Sequence, residues 1–195
     1  YQALDTNTTG TRNTAVGHEA LDDNTTANDN TAVGAYALQK CTTGISNTAV
    51  GAYALDASTT AAYNTAVGRN CMGDCTTGSD NACLGENAAA NLTTGANNTI
   101  IGVGAGRDIT TASHNTAIGR ASFGGSGSAI TGSYNTAVGR NSLAVATTGY
   151  NNTTVGYSAL SALTTGYANA TLGYSSGGSI QDGANNVCLG RKAGD

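Results

Sequence analysis

The sequence predicts an all-β fold: one parallel β-solenoid, or β-roll, of about eleven coils running through residues 1–195. Three observations lead there. Asn recurs every 17 residues at Asn13, Asn30, Asn47, Asn64, Asn81, Asn98 and Asn115, then at Asn135, Asn152, Asn169 and Asn186 after a three-residue insertion. Gly stands four positions after each of these Asn, from Gly17 to Gly190. The composition, with 28 Gly, no Pro, 10% charged and 5% aromatic residues, suits neither a large mixed core nor collagen nor a Pro-rich linker.

With Asn as column 0, the consensus reads N-T-A-V-G-x-x-A-L-x-x-x-T-T-G-x-x. Seventeen residues holding two short apolar runs are too few for a helix-turn-helix unit, and Thr, Val and Gly are poor helix formers. Each repeat should therefore be one coil. Extended pieces are expected over columns 0 to 3 and 6 to 9, with a third extended or turn-like piece around the Thr pair of columns 12 and 13. The eleven Asn of column 0 are expected to stack about 4.8 Å apart as an amide ladder that satisfies buried polar groups. Gly in column 4 is expected at a corner with positive φ, where a Cβ would clash. Column 7 is always small, and column 8 is usually Leu but shrinks at Ala89, Gly106, Gly177 and Gly194.

Columns 2 and 3 are adjacent and both apolar. Successive strand residues face opposite ways, so one column can fill the coil while the other forms an apolar ribbon outside. Columns 7 and 8 pose the same conflict. Such a ribbon is rare on a soluble monomer, and packing against further copies of the chain is expected.

All nine Tyr fall in columns 5, 6, 15 and 16, and every charged residue except Asp182 falls in columns 5, 6, 9, 10 and 16, which should face water. Opposite charges meet on neighbouring coils at Arg12 and Asp29, Asp23 and Lys40, and Arg69 and Glu86. Arg120 beside Arg140 departs from that pattern, and the insertion between them is expected to hold them apart. The insertion itself, near residues 124–128, reads Gly-Gly-Ser-Gly-Ser and should leave the rod as an exposed bulge between Phe123 and Tyr134.

The net charge of −4 and eight scattered Lys and Arg offer no basic stripe for nucleic acid, and no apolar run is long enough to span a bilayer. No catalytic constellation, cofactor site or metal site is expected. His18 and His114 lie in different columns nearly six coils apart. Asp5, Asp22 and Asp23 could place carboxylates one coil apart, with nothing in their columns to raise a pKa. Cys83, Cys188 and Cys71 replace Ala and read as small buried thiols. Cys71 and Cys75 could close a small disulfide loop, or Cys41 or Cys75 could pair between chains; Cys41 and Cys75, two coils apart, are too distant to bridge within one chain.

The unit N-T-A-V-G-x-x-A-L, as in Asn30 to Leu38 and Asn47 to Leu55, resembles the head repeats of trimeric autotransporter adhesins. It is also similar to the Asn-Thr-Ala-Val-Gly repeats of bacterial and viral tail-fibre-domain proteins. The resemblance covers the whole chain and implies a left-handed, trimeric β-roll on a cell or virion surface. The 17-residue period departs from the shorter adhesin period, and no chaperone domain is present in this sequence. The chain opens in mid-coil at Tyr1 and closes in mid-coil at Asp195, which suggests a segment of a longer fibre.

The expected role is a structural and adhesive surface fibre that self-associates and binds a cell-surface glycan or receptor. Tyr36, Tyr53, Tyr157 and Tyr174 are the candidate ligand contacts, as rigid amphipathic rings suited to stacking on sugars. Two alternatives stand beside it: a monomeric ice-binding solenoid that uses the Thr ladders, and a tailspike that degrades polysaccharide.

Overall fold

A computed structural model describes residues 2–195; Tyr1, and with it the reading of a coil start in column 5, lies outside the described residues. Each coil supplies one three-residue strand in columns 1 to 3: β1 (Thr14–Val16), β2 (Thr31–Val33), β3 (Thr48–Val50), β4 (Thr65–Val67), β5 (Ala82–Leu84), β6 (Thr99–Ile101), β7 (Thr116–Ile118), β8 (Thr136–Val138), β9 (Thr153–Val155), β10 (Ala170–Leu172) and β11 (Val187–Leu189). All eleven form a single parallel sheet in sequence order. Register is column on column, and it holds across the insertion, where Thr116 pairs with Thr136. No helix occurs among the described residues.

The β-branched Thr-x-Val triplet suits a strand, and the Gly of column 4 ends it. Gly51 has φ 137°, and a Cβ there would lie 2.5 Å from the carbonyl oxygen of Gly68 on the next coil. Only glycine allows this approach of one backbone to the next.

The extended piece expected over columns 6 to 9 is instead a pair of tight turns. Ala37 N–H bonds to Gly34 C=O (3.3 Å), and Cys41 N–H bonds to Leu38 C=O (3.1 Å). Columns 6 and 8 adopt the left-handed conformation, as at Tyr36 (φ 63°) and Leu38 (φ 52°), and column 16 does so before the next strand, as at Asp29 (φ 61°). Each such non-glycine residue costs about 1 kcal/mol. What offsets the cost is pairing between coils that continues outside the sheet. Tyr36 N–H reaches back to His18 C=O (2.8 Å), while Leu38 N–H reaches on to Ala54 C=O (3.0 Å) and Lys40 N–H to Asp56 C=O (3.2 Å).

The left-handed residue in column 8 also corrects the expected conflict between columns 7 and 8. On a strand their side chains would diverge; with the backbone turned there, both enter the coil, and Ala37 and Leu38 are fully buried. The core therefore comprises columns 2, 7 and 8, joined by column 11, where Cys41, Cys75, Leu92, Ile109 and Leu163 are buried, and by Ala27, Ala61 and Ala112 of column 14.

Column 0 closes the coil. Asn47 Nδ2 donates to Asn30 Oδ1 on the preceding coil (3.1 Å) and to Ala61 C=O of its own coil (2.8 Å), while Asn47 N–H also donates to Asn30 Oδ1 (2.9 Å). Both amide hydrogens and the acceptor oxygen are thus used inside a buried column. The N–H to Oδ1 bond recurs at every step from Asn13 to Asn186, including Asn135 to Asn115 across the insertion.

Candidate functional site

Two surfaces of the rod differ from an ordinary solvated exterior. The first is the outer face of the sheet. Alternation puts column 2 inside and column 3 outside, so Ala32 and Ala49 are buried while the Val, Ile and Leu of column 3 form an unbroken outward rank. Eight of its eleven side chains are exposed, from 36% at Val50 to 58% at Val16 and 66% at Leu189, while Val67, Val138 and Val155 are half-buried. Beside it on the same face stands column 1, mostly Thr, partly or fully exposed. No charged residue occurs in either column. Where column 1 loses its Thr, at Ala82, Ala170 and Val187, column 3 carries Leu84, Leu172 and Leu189.

The second surface is a depression of about 420 Å³ on the side of the rod. Column 6 runs Asn87, Gly104, Ala121, Asn141 through four successive coils, so two small residues lie between two amides. Arg120 and Arg140 of column 5 line one side and Arg107 of column 9 lines another. The insertion does not hold Arg120 and Arg140 apart, contrary to the sequence expectation. β7 and β8 pair directly, Asn141 N–H bonds Arg120 C=O (3.1 Å), and both arginines border the same depression.

Column 10 was expected to face water, yet Asp108 is only 3% exposed. The insertion covers it. Gly127 N–H donates to Asp108 Oδ2 (2.9 Å), and Arg107 Nε donates to Oδ1 (3.1 Å). Buried Phe123 and Ile130 bracket the bulge, and Ile109 bridges to Ile130 in parallel. The loop is an exposed bulge pinned at its middle by one carboxylate.

The four candidate tyrosines form two stacked pairs. Tyr36 and Tyr53 lie 4.9 Å apart between centroids at 13°, with the His18 ring edge-on to Tyr36 at 5.2 Å. Tyr157 and Tyr174 lie 5.2 Å apart at 6°, with the Arg140 and Arg191 guanidinium groups each 5.7 Å from a ring of the pair. Coil spacing makes column neighbours stack, so within each pair one face of each ring is covered by its neighbour. The same spacing stacks His114 on Tyr134 at 4.9 Å.

All five cysteines are buried free thiols, so no bridge joins Cys71 and Cys75. Burial pushes the Cys41 thiol up to about 11 and the Cys75 thiol up to about 12. Cys83 is raised by a hydrogen bond with Cys71 and by burial. Asp22 corrects another expectation: burial, reinforced by Asp23, Asp5 and Glu19, raises its carboxyl above the ordinary value. Among the described residues no group of three or more His, Cys, Asp and Glu side chains is placed to hold a metal ion. No helix among them is long and apolar enough to cross a membrane.

Sequence reading missed the arginine depression because it treats columns one at a time, whereas the cluster spans columns 5, 6 and 9. The Asn, Gly, Ala, Asn succession in column 6 beside two consecutive arginines in column 5 was the available signal. No family model matches the chain, and no similar curated protein or solved structure was found.

Proposed function

We propose that the chain is a non-catalytic segment of an extended surface fibre that assembles with copies of itself, three to a left-handed rod, through the outer face of its sheet. One observation carries this reading: an uncharged apolar rank on the outside of the sheet, one side chain per coil, exposed at eight of the eleven strands and half-buried at the other three. Burying it is favourable by about 25 cal/mol per Å². A partner must present apolar groups at the same axial repeat of about 4.8 Å, and a second copy of this chain does so by construction. The fibre role, extracellular placement on a cell or virion, and recognition of a surface glycan or receptor belong to this proposal.

Sedimentation of the purified chain tests it. A three-chain assembly is expected, and Val50→Asp with Ile118→Asp should give a folded monomer, since both side chains lie on the outside. A wild-type chain that sediments as a monomer would overturn the assembly.

Ice binding has one specific support, the in-register Thr of column 1 beside the apolar rank of column 3. Column 12 does not add to it, because its hydroxyls bond to the next coil, as Thr42 Oγ1 does to Thr59 C=O (3.2 Å). Thermal hysteresis in a stable monomer would favour that reading.

A further inference from the structure

The geometry points to the depression at Arg107, Arg120 and Arg140 as a binding site for an acidic sugar unit, one bearing a carboxylate or sulfate. The site stands on this cluster alone and is independent of how the sheet face is covered.

The charge is the first argument. Residues 1–108 hold ten acidic and four basic residues, a balance of −6, whereas residues 109–195 hold two acidic and four basic, a balance of +2. The depression lies at that divide. Elsewhere along the rod Arg69 meets Glu86 at 2.6 Å and Arg12 meets Asp29, while Arg191 lies over the Tyr174 ring. Here three arginines line one concavity: Arg107 pairs with Asp108, and the Arg140 guanidinium lies over the Tyr157 ring. Arg120 and Arg140 occupy the column in which Arg69 meets Glu86, with no carboxylate among the lining residues. Guanidinium groups recognise oxyanions by paired, charge-assisted hydrogen bonds.

Shape and lining supply the rest. A volume of about 420 Å³ far exceeds what an inorganic anion fills. Asn87 and Asn141 offer amides suited to hydroxyl groups, and Asn70 Nδ2 donates to Asn87 Oδ1 (3.0 Å), which leaves the Asn87 amide nitrogen to a ligand acceptor. Val103 and Ala121 provide an apolar patch for a ring face. Gly104 has open space where its Cβ would stand, so the hollow is made by the absence of a side chain. A carboxylated or sulfated pyranose matches this set of one anion, several hydroxyls and one apolar face.

Calorimetric titration of the full chain with glucuronate, glucose 6-sulfate, glucose, sulfate and phosphate tests the assignment. Glucuronate or glucose 6-sulfate should bind with a millimolar dissociation constant that weakens with added salt. Arg120→Gln with Arg140→Gln should weaken binding about tenfold or more, and Arg120→Lys with Arg140→Lys should recover part of it. The lysine pair also keeps the test open should the glutamine pair fail to fold. Glucose bound as tightly as glucuronate would overturn the site. So would sulfate or phosphate bound as tightly as the acidic sugars, which would mark a simple anion site. Val50→Asp, remote from the depression, should leave sugar binding unchanged whatever it does to assembly.

Discussion

The coil from Asn30 to Ser46 and the coil from Asn98 to His114 follow the same backbone path around different interiors. The first fills columns 2, 8 and 11 with Ala32, Leu38 and Cys41, and the second with Ile100, Gly106 and Ile109. A Cβ on Gly106 would stand 2.8 Å from Ile100 Cδ1 and 3.0 Å from Ile109 Cδ1, so those two side chains occupy the space that Leu38 fills in the other coil. The coil of Gly177 repeats the exchange, with Thr171 and Ile180 closing on the glycine. Stacking thus fixes the volume inside each coil while leaving open which column supplies it. The loss of Leu from column 8, taken alone, looks like decay of the repeat; with column 11 it is compensation.

The most damaging change should fall on what the two coils share. Gly51→Val would put side-chain carbon against the Gly68 carbonyl, and loss of the coil and its neighbours is expected, at well over about 3 kcal/mol. Limited proteolysis should then cut close to residue 51. Gly104, with open space around it, is the control: Gly104→Asn should leave proteolysis unchanged.

Next come changes to what differs. Leu38→Ala should cost about 2 to 5 kcal/mol in chemical denaturation, because the cavity cannot collapse between two stacked coils. Gly106→Leu should cost about 1 to 3 kcal/mol through overpacking. Adding Ile100→Ala and Ile109→Cys to Gly106→Leu transplants the Asn30 interior, and stability should return to within about 1 kcal/mol of the parent. If the triple variant is no more stable than Gly106→Leu alone, the columns do not exchange volume.

Asp108→Ala should cost about 1 to 3 kcal/mol, since Gly127 N–H and Arg107 each lose a partner. Amide exchange should rise at Gly127 and leave the Asn30 coil untouched. The smallest effect belongs to the exposed Arg12 and Asp29 pair. Arg12 holds the Asp29 carboxyl below its ordinary value, so its slight stabilisation is present at neutral pH and lost as pH falls through the folded value. Arg12→Ala should lower the neutral-pH melting temperature barely at all and remove that pH dependence.

Much of this was legible because a repeat averages its own noise. Asn and Gly recur without exception, and each has a role that no other residue fills as well. The inward turn of column 8 was hidden: Leu is not expected at positive φ, and alternation, sound for Ala32 and Val33, fails at Ala37 and Leu38. Column 11 escaped notice because its residues, Asn24, Cys41, Ser58, Cys75, Leu92 and Ile109, share no chemical character. Their common property is place. Asp108 was misread for a related reason, since what covers it comes from the twenty-residue coil and not from the repeat.

A sheet whose strands were all alike would have no origin. One copy could slide past another by a whole coil and find Val against Val again, with the same energy at every step. The Leu residues at 84, 172 and 189 remove that freedom. They mark the fifth, tenth and eleventh strands with a longer side chain, beside Ala in place of Thr on the first two and Val on the third, a spacing that no displacement by a single coil reproduces. In any assembly built on this face they act as fiducial marks, setting one axial phase apart from its displaced near misses.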